Sequence, residues 1–346
     1  MLTSEQLKEI KEHLEKAQNP LFYFDNDVDG LCSFLLLRRA INRGKGVAIK
    51  SFPQLDANYS RKAKELGADY VFILDKPMVS EGFLKEIYDM NLPIVWIDHH
   101  EIPFPEVSRE NLVYYYNSMK SDKPSSEPVT FWCSKLGRKE DLWIALCGCI
   151  GDGYLPDFKK EAEEKYPELW KPVKSAFEGV YCTEIGRIAQ ILNFSLKDRT
   201  GNVVKMLKFM YKAGLQDVIE EERRGGVLAR FKQIYDKYIK LVEKACEFAT
   251  KDKILYFQYG GELSISADIA NELFYRYPGK IIIVAYIKGT KANISIRGNE
   301  DIREVTIKAI EGIEHATGGG HKNATGAQML VEDLPKFIEK FRKMAH

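Results

Sequence analysis

A chain of 346 residues with 45% hydrophobic content is long enough to bury a large core and to form two domains. Its 51 basic and 50 acidic residues leave a formal charge of +1, which excludes a global basic field, so any nucleic-acid contact must be local. The six cysteines, Cys32, Cys133, Cys147, Cys149, Cys182 and Cys246, contain no CxxC pair; they indicate neither a disulfide framework nor a zinc site and read as buried free thiols in a reducing compartment.

The N-terminus reads as a helix rather than a signal peptide, with Thr3 and Gln6 as a capping box and Leu7, Ile10 and Leu14 as the apolar face. The longest apolar runs, such as Ile281 to Tyr286, are too short to span a bilayer, so the cytoplasm is the expected location. The run Leu21 to Phe24 then ends in Asp25-Asn26-Asp27-Val28-Asp29-Gly30. Carboxylates at alternate positions of a strand end share one side of the backbone and repel unless a cation sits among them. Two further apolar runs stop at charged residues: Val71 to Leu74 before Asp75, and Ile94 to Ile97 before Asp98-His99-His100. Runs of four separated by helix-like segments, here Gly30 to Asn42 and Glu81 to Met90, predict buried parallel strands with right-handed crossovers. Asp152 is a fourth candidate of this kind, following the apolar segment Leu142 to Ile150. Sites in such sheets form at the carboxyl ends of strands, so Asp25, Asp27, Asp29, Asp75, His99 and Asp152 are expected to converge.

Tyr114-Tyr115-Tyr116 reads as a strand contributing to the core, with base stacking the lesser alternative. The segment Ser118 to Pro128 reads as a solvated loop, His315 as a helix-end residue, and His13 and His346 as exposed. Residues 161–250 lack strand alternation, and Val227 to Ala249 is an amphipathic helix after Gly225-Gly226. From Lys253 onward, strands are expected at 254–257, 280–287 and 292–297, the last two as a hairpin, with helices at 266–277 and 302–313. The helix at 302–313 leads into a loop, Thr317-Gly318-Gly319-Gly320-His321-Lys322. Successive glycines allow amides to approach an anion, and His321 and Lys322 add donors. The fold class is therefore α/β in two lobes: an N-terminal parallel-sheet domain (1–160), a helical connector (161–250) and a smaller α/β domain (251–346).

Taken together, Asp25-Asn26-Asp27-Val28-Asp29-Gly30, Asp75, Asp98-His99-His100, Gly151-Asp152 and Gly318-Gly319-Gly320-His321 resemble the DHH phosphoesterase superfamily, over most of the chain. Aspartate at position 25, where many members carry histidine, is similar to the RecJ-like branch; Lys76-Pro77 after Asp75 departs from the expected pattern. The resemblance implies a two-ion manganese site, with magnesium as the alternative. Asp25, Asp27 and Asp75 would hold one ion and Asp29, Asp75, His99 and Asp152 the other, with Asp75 as the bridge. It further implies that Asp98 orients the histidines and that His100 faces the scissile phosphate. A DHH-associated C-terminal domain would close over the metals and bind substrate through Arg297 and Gly318, Gly319, Gly320 and His321. Independently, carboxylates with one imidazole suit manganese or magnesium better than zinc.

The expected function is a manganese-dependent phosphodiesterase acting on single-stranded RNA or DNA or short oligonucleotides, as a RecJ-like exonuclease. The glycine-histidine segment speaks against the pyrophosphatase branch. The extra nucleotide-binding barrel of larger RecJ enzymes is not recognisable, which leaves cyclic dinucleotides or dinucleotides as an alternative substrate class. An alternative of another class is a non-catalytic replication or repair scaffold; such proteins lose ligands, and here every expected ligand position holds a competent residue. Replication or repair proteins are in either case the expected protein partners.

Overall fold

Apolar runs without polar alternation must be covered on both faces, and the first part of the chain is built that way. The computed structural model describes residues 1–51, 54–102 and 112–345, which fall into two units, Met1–Gln233 and Ile234–His346. The first unit contains, in chain order, α1 (Ser4–Lys16), β1 (Pro20–Asp25), α2 (Val28–Ile41), β2 (Lys45–Ile49), β3 (Gln54–Leu55), α3 (Arg61–Glu65), β4 (Tyr70–Leu74), β5 (Met78–Val79), α4 (Glu81–Asp89), β6 (Ile94–Asp98), β7 (Val113–Asn117), α5 (Val129–Ser134), α6 (Leu142–Gly151), α7 (Lys159–Lys165), α8 (Ala176–Cys182), α9 (Glu184–Leu196), α10 (Thr200–Met210) and α11 (Leu215–Arg224). Thr3 caps α1 in a reciprocal box with Gln6.

The main sheet has the order β2-β1-β4-β6-β7 with every pair parallel, and β3 and β5 pair separately. Phe22, Phe24 and Phe72 face one side, where Phe34 of α2 stacks on Phe24 with centroids 5.0 Å apart. Leu21, Tyr23, Val71, Ile73 and Trp96 face the other side and pack with Phe83, Leu84 and Ile87 of α4. Register sets the next step. Phe24, Leu74, Ile97 and Tyr116 are successive cross-strand partners, so the residues that follow them, Asp25, Asp75, Asp98 and Asn117, line up along four adjacent carboxyl ends.

Three expectations need correction in this unit. Leu142 to Ile150, grouped with the strands, forms α6 instead; it is buried on all sides, and a helix with no polar face has no period that distinguishes it from a buried strand. Asp152 is thus the C-cap of a helix. His13 is buried rather than exposed, because its ring packs on Tyr114 and its Nδ1 bonds the Tyr70 hydroxyl at 2.7 Å. Cys182 is exposed and Cys246 half-buried, while the other four thiols are buried. His346 lies outside the described residues. The segment 161–250 divides at Gln233: α8 and α9 pack on α6, and the boundary falls within α12 (Ala229–Cys246). Arg39 of α2 fastens these helices through a buried bidentate pair with Asp141, at 2.7 and 3.0 Å, and through bonds to the carbonyls of Met210 and Ala213.

The second unit continues from α12 with β8 (Ile254–Gly260), α13 (Ser266–Arg276), β9 (Ile281–Lys288), β10 (Lys291–Arg297), α14 (Ile302–Ile310), β11 (Thr317–His321), β12 (Ala324–Leu330) and α15 (Leu334–Met344). Its sheet has the order β11-β12-β10-β9-β8, with β8 and β9 parallel and the remaining pairs antiparallel. Ile283, Ala285, Ile294 and Ile296 pack with Ala309 of α14 and Phe337 and Phe341 of α15. The glycine-rich segment expected as a loop is strand β11 at the edge of this sheet, and α14 stops at Ile310 rather than Ile313. His315 follows the helix in a left-handed conformation, φ 56°. Among the described residues, no helix is long and apolar enough to cross a membrane.

Candidate metal centre

The acidic triplet does not stay extended. β1 ends at Asp25, and Asp27 becomes the N-cap of α2, its Oδ1 accepting from the Gly30 amide at 3.0 Å. This turn carries Asp29 into the first turn of α2, where it is 1% exposed. Only glycine fits at position 30, since a Cβ there would stand 2.6 Å from the Asp25 carbonyl oxygen. The Asp29 carboxylate accepts from the amides of Thr130 at 2.7 Å and Val129 at 3.0 Å, at the start of α5.

Asp75 follows β4 with φ 58°, a conformation that non-glycine residues adopt mainly where surrounding structure imposes it. It is 2% exposed, and its Oδ1 is buried with no hydrogen-bond partner. His99 Nε2 lies 3.4 Å from that oxygen, 3.7 Å from Asp152 Oδ2 and 3.9 Å from Asp29 Oδ2. His99 also hydrogen-bonds the backbone of Ser126, which orients the ring with Nε2 toward the three carboxylates. His100 Nδ1 bonds Asp98 Oδ1 at 2.8 Å, while Asp98 Oδ2 accepts from the His100 amide and from Asn117 Nδ2. Asn117 also donates to the His100 carbonyl at 3.0 Å, so it holds the turn that carries both histidines. A depression of about 360 Å³, lined by His99, His100, Met119, Ser126, Asp152 and Tyr154 among others, opens over this cluster.

Crowded carboxylates set the electrostatics. Burial, reinforced by Asp29 and Asp27, pushes Asp75 well above the usual carboxylate range. The same causes push Asp152 up to about 8, and burial with Asp29 and Asp25 pushes Asp27 up to about 6. Burial lowers His99 despite the opposing charge of Asp29, which favours the neutral imidazole that a metal needs. Burial also opposes the charged form of His100, but the hydrogen bond and charge of Asp98 outweigh it, and the net shift is upward.

The residues fit one divalent ion. Asp29, His99 and Asp152 form one group with metal-ligand spacing and Asp75, His99 and His100 another; His99 Nε2 is shared, with the three carboxylates 3.4 to 3.9 Å from it and the orphaned Asp75 oxygen nearest, a donor set suited to manganese or magnesium. The set Asp25, Asp27 and Asp75 does not fit a second ion in the same way. Lys76 Nζ donates to Asp25 Oδ1 at 2.9 Å, and among the described residues neither Asp25 nor Asp27 joins a group with metal-ligand spacing. Sequence reasoning noted Lys76 only as a departure from the family pattern and gave no role to Asn117 or Ser126. Asn117 carried a usable signal, as a polar residue ending an apolar strand beside Asp98, whereas Ser126 lies in the segment read as solvated.

In the second unit, Arg297 and His321 are both paired with Ala324, from opposite sides of β12. Residues in one row share a face of the sheet, so the guanidinium and imidazole flank a small side chain. Arg297 Nε bonds Asn271 Oδ1 at 2.6 Å, which fixes the fork. Gly320 has φ 136°, and a Cβ there would meet the Ala324 carbonyl oxygen at 2.6 Å. At a sheet edge, alternate amides of β11 point away from β12, so Gly318 to Gly320 can present backbone donors as a strand rather than as a loop.

Residues 251–346 match the family model of the DHHA1 domain. No curated protein matches the chain by sequence. Among solved structures, RecJ of Thermus thermophilus in complex with Mn2+ is similar at TM-score 0.66 and 15% identity; the match covers 99% of this chain and 54% of that one, so this chain spans about half its length. An exonuclease RecJ bound to manganese is similar at TM-score 0.62 and 16% identity, over 99% of this chain and 93% of that one. A DHH domain from a member of the s1p family of ribosomal proteins is similar at TM-score 0.66 and 14% identity, over 99% and 89%. Residues 251–346 thus form a DHHA1 domain, and the chain as a whole shares the fold of these RecJ and DHH-domain structures.

Proposed function

We infer that this protein is a manganese-dependent phosphodiesterase that hydrolyses single-stranded nucleic acid or short oligonucleotides as a RecJ-like exonuclease, with magnesium as the alternative ion. The observation that carries this reading is the convergence of Asp29, Asp75 and Asp152 on His99 Nε2, with a protonatable His100 beside them. A divalent ion held there would supply a nucleophilic hydroxide at neutral pH and a positive charge for the phosphate oxygens. The chain's own residues do the rest. Asp29 is fixed by two amides and His99 by Ser126, so the ligands are preorganised. His100, whose charged form Asp98 favours, would donate a proton toward the leaving oxygen or stabilise charge on the phosphate. Arg297, His321 and the β11 amides form the proposed anion-binding face of the DHHA1 domain.

End-labelled single-stranded RNA and DNA, a linear dinucleotide and a cyclic dinucleotide, each incubated with Mn2+ or Mg2+, separate the substrate classes. Stepwise shortening of the long strands, absent in His99→Ala, is the expected result. Turnover confined to the dinucleotides would replace the exonuclease reading with a signalling or scavenging one, and binding without turnover would replace it with a scaffold.

A further inference from the structure

Lys76 is 1% exposed, an unusual place for an ammonium group. Its Nζ donates to Asp25 Oδ1 at 2.9 Å and to the Ser51 carbonyl at 3.1 Å. The chain is shaped to hold it there. The left-handed turn at Asp75 redirects the backbone immediately after β4, Trp96 Nε1 anchors the Lys76 carbonyl at 2.8 Å, and Pro77 restricts Lys76 to extended conformations. A buried charge is tolerated only when paired, so Asp25 is committed to the ammonium rather than free for a metal.

The remaining acids can be accounted for in turn. Asp98 is committed to His100 and Asn117, and Asp27 caps α2 through Oδ1 and hydrogen-bonds Asp75. Asp29, Asp75 and Asp152 are the carboxylates that approach His99 Nε2, at 3.9, 3.4 and 3.7 Å. Resting on the metal-dependent reading above, we propose that Lys76 is a built-in cation that takes the place of one of the two ions, and that this protein binds a single divalent ion tightly, at Asp29, Asp75, His99 and Asp152. Asp25 is thereby a partner of Lys76 and not a metal ligand.

Titration of the metal-free full chain with Mn2+, with free Mn2+ counted by electron paramagnetic resonance, tests this without reference to turnover. The expected result is one tightly bound ion per chain, a second at least about 100-fold weaker, and the spectrum of an isolated ion without exchange coupling. Asp25→Asn should keep that ion with a dissociation constant within about threefold of wild type, whereas His99→Ala should weaken it by the roughly 10–100-fold or more expected for a lost metal-site group. Two ions of similar affinity in the wild type, an exchange-coupled spectrum, or loss of the ion in Asp25→Asn would overturn the proposal. The wild-type count stands even if a variant fails to fold. Absence of phosphodiester hydrolysis would sink the functional reading but leave the ion count intact, so the two failures are distinguishable.

Discussion

Adjacent histidines with opposite electrostatics divide the proposed work at the site. His99 is pushed toward the neutral form by burial, while His100 is held toward the charged form by the 2.8 Å bond to Asp98. Replacing Asp98 by Asn removes the charge that raises His100, so the imidazolium is lost at lower pH. The alkaline limb of the kcat profile should therefore move to lower pH, and kcat should fall by about 10–100-fold at neutral pH; an unchanged limb in a pH–rate series would show that His100 is not the acid. In the second unit, Arg297→Lys keeps the charge but loses the fork fixed by Asn271, and should raise KM for oligonucleotides severalfold with a smaller effect on kcat. Much at this scale was legible: the aspartates and Asp98-His99-His100 stood out because apolar runs ended on them. Lys76 was not legible as part of the site. A lysine beside a strand-end aspartate ordinarily lies in solvent, and only the turn at Asp75 buries it.

At the level of elements, the site depends on close approaches of α2 to β1 and of α6 to α5 and α2. A Cβ on Gly148 of α6 would meet Thr130 Oγ1 at 2.2 Å, and one on Gly30 would meet the Asp25 backbone. Gly148→Ala should destabilise the first unit by about 1–3 kcal/mol, as overpacking does, and should weaken Mn2+ binding, because Asp152 at the end of α6 would be displaced; chemical denaturation and a metal titration report the two effects. Asp141→Ala leaves Arg39 buried without its bidentate partner and should cost about 3–5 kcal/mol, read as a lower denaturant midpoint. The parallel strands were legible from their four-residue apolar runs. Two elements were not. α6 lacks a polar face, so nothing in its sequence separated it from a strand, and β11 carries three glycines, a composition that disfavours strands but fits an edge where a side chain at Gly320 would strike β12.

Across the whole molecule, the fold gathers carboxylates that repel one another when no cation is present. Asp152 rises to about 8 and Asp27 to about 6 from an ordinary value near 3.8, so between these limits the metal-free native state binds more protons than the unfolded chain. Those two groups therefore make stability fall as pH rises through that window. An ion held by Asp152 must displace the proton of that carboxyl, so its binding strengthens as pH rises toward about 8. The rise in melting temperature produced by saturating Mn2+ should be larger at about pH 8 than at about pH 5.5, and a pH-independent rise would argue that the ion binds elsewhere. The division at Gln233 was invisible in the sequence because helices that belong to the first unit and those that lead out of it have the same charged, amphipathic pattern; the Arg39 and Asp141 pair that binds the former spans 102 positions.

The most direct test of the central claim is the initial rate on 5′-labelled single-stranded RNA and DNA after exhaustive chelation, with Mn2+ added back, for the wild type and Asp75→Asn. The account predicts no hydrolysis without metal, restoration by Mn2+, and a loss of at least about 100-fold in the variant. Hydrolysis that survives chelation, an Asp75→Asn rate equal to wild type, or strands left intact by the metal-loaded wild type would contradict it.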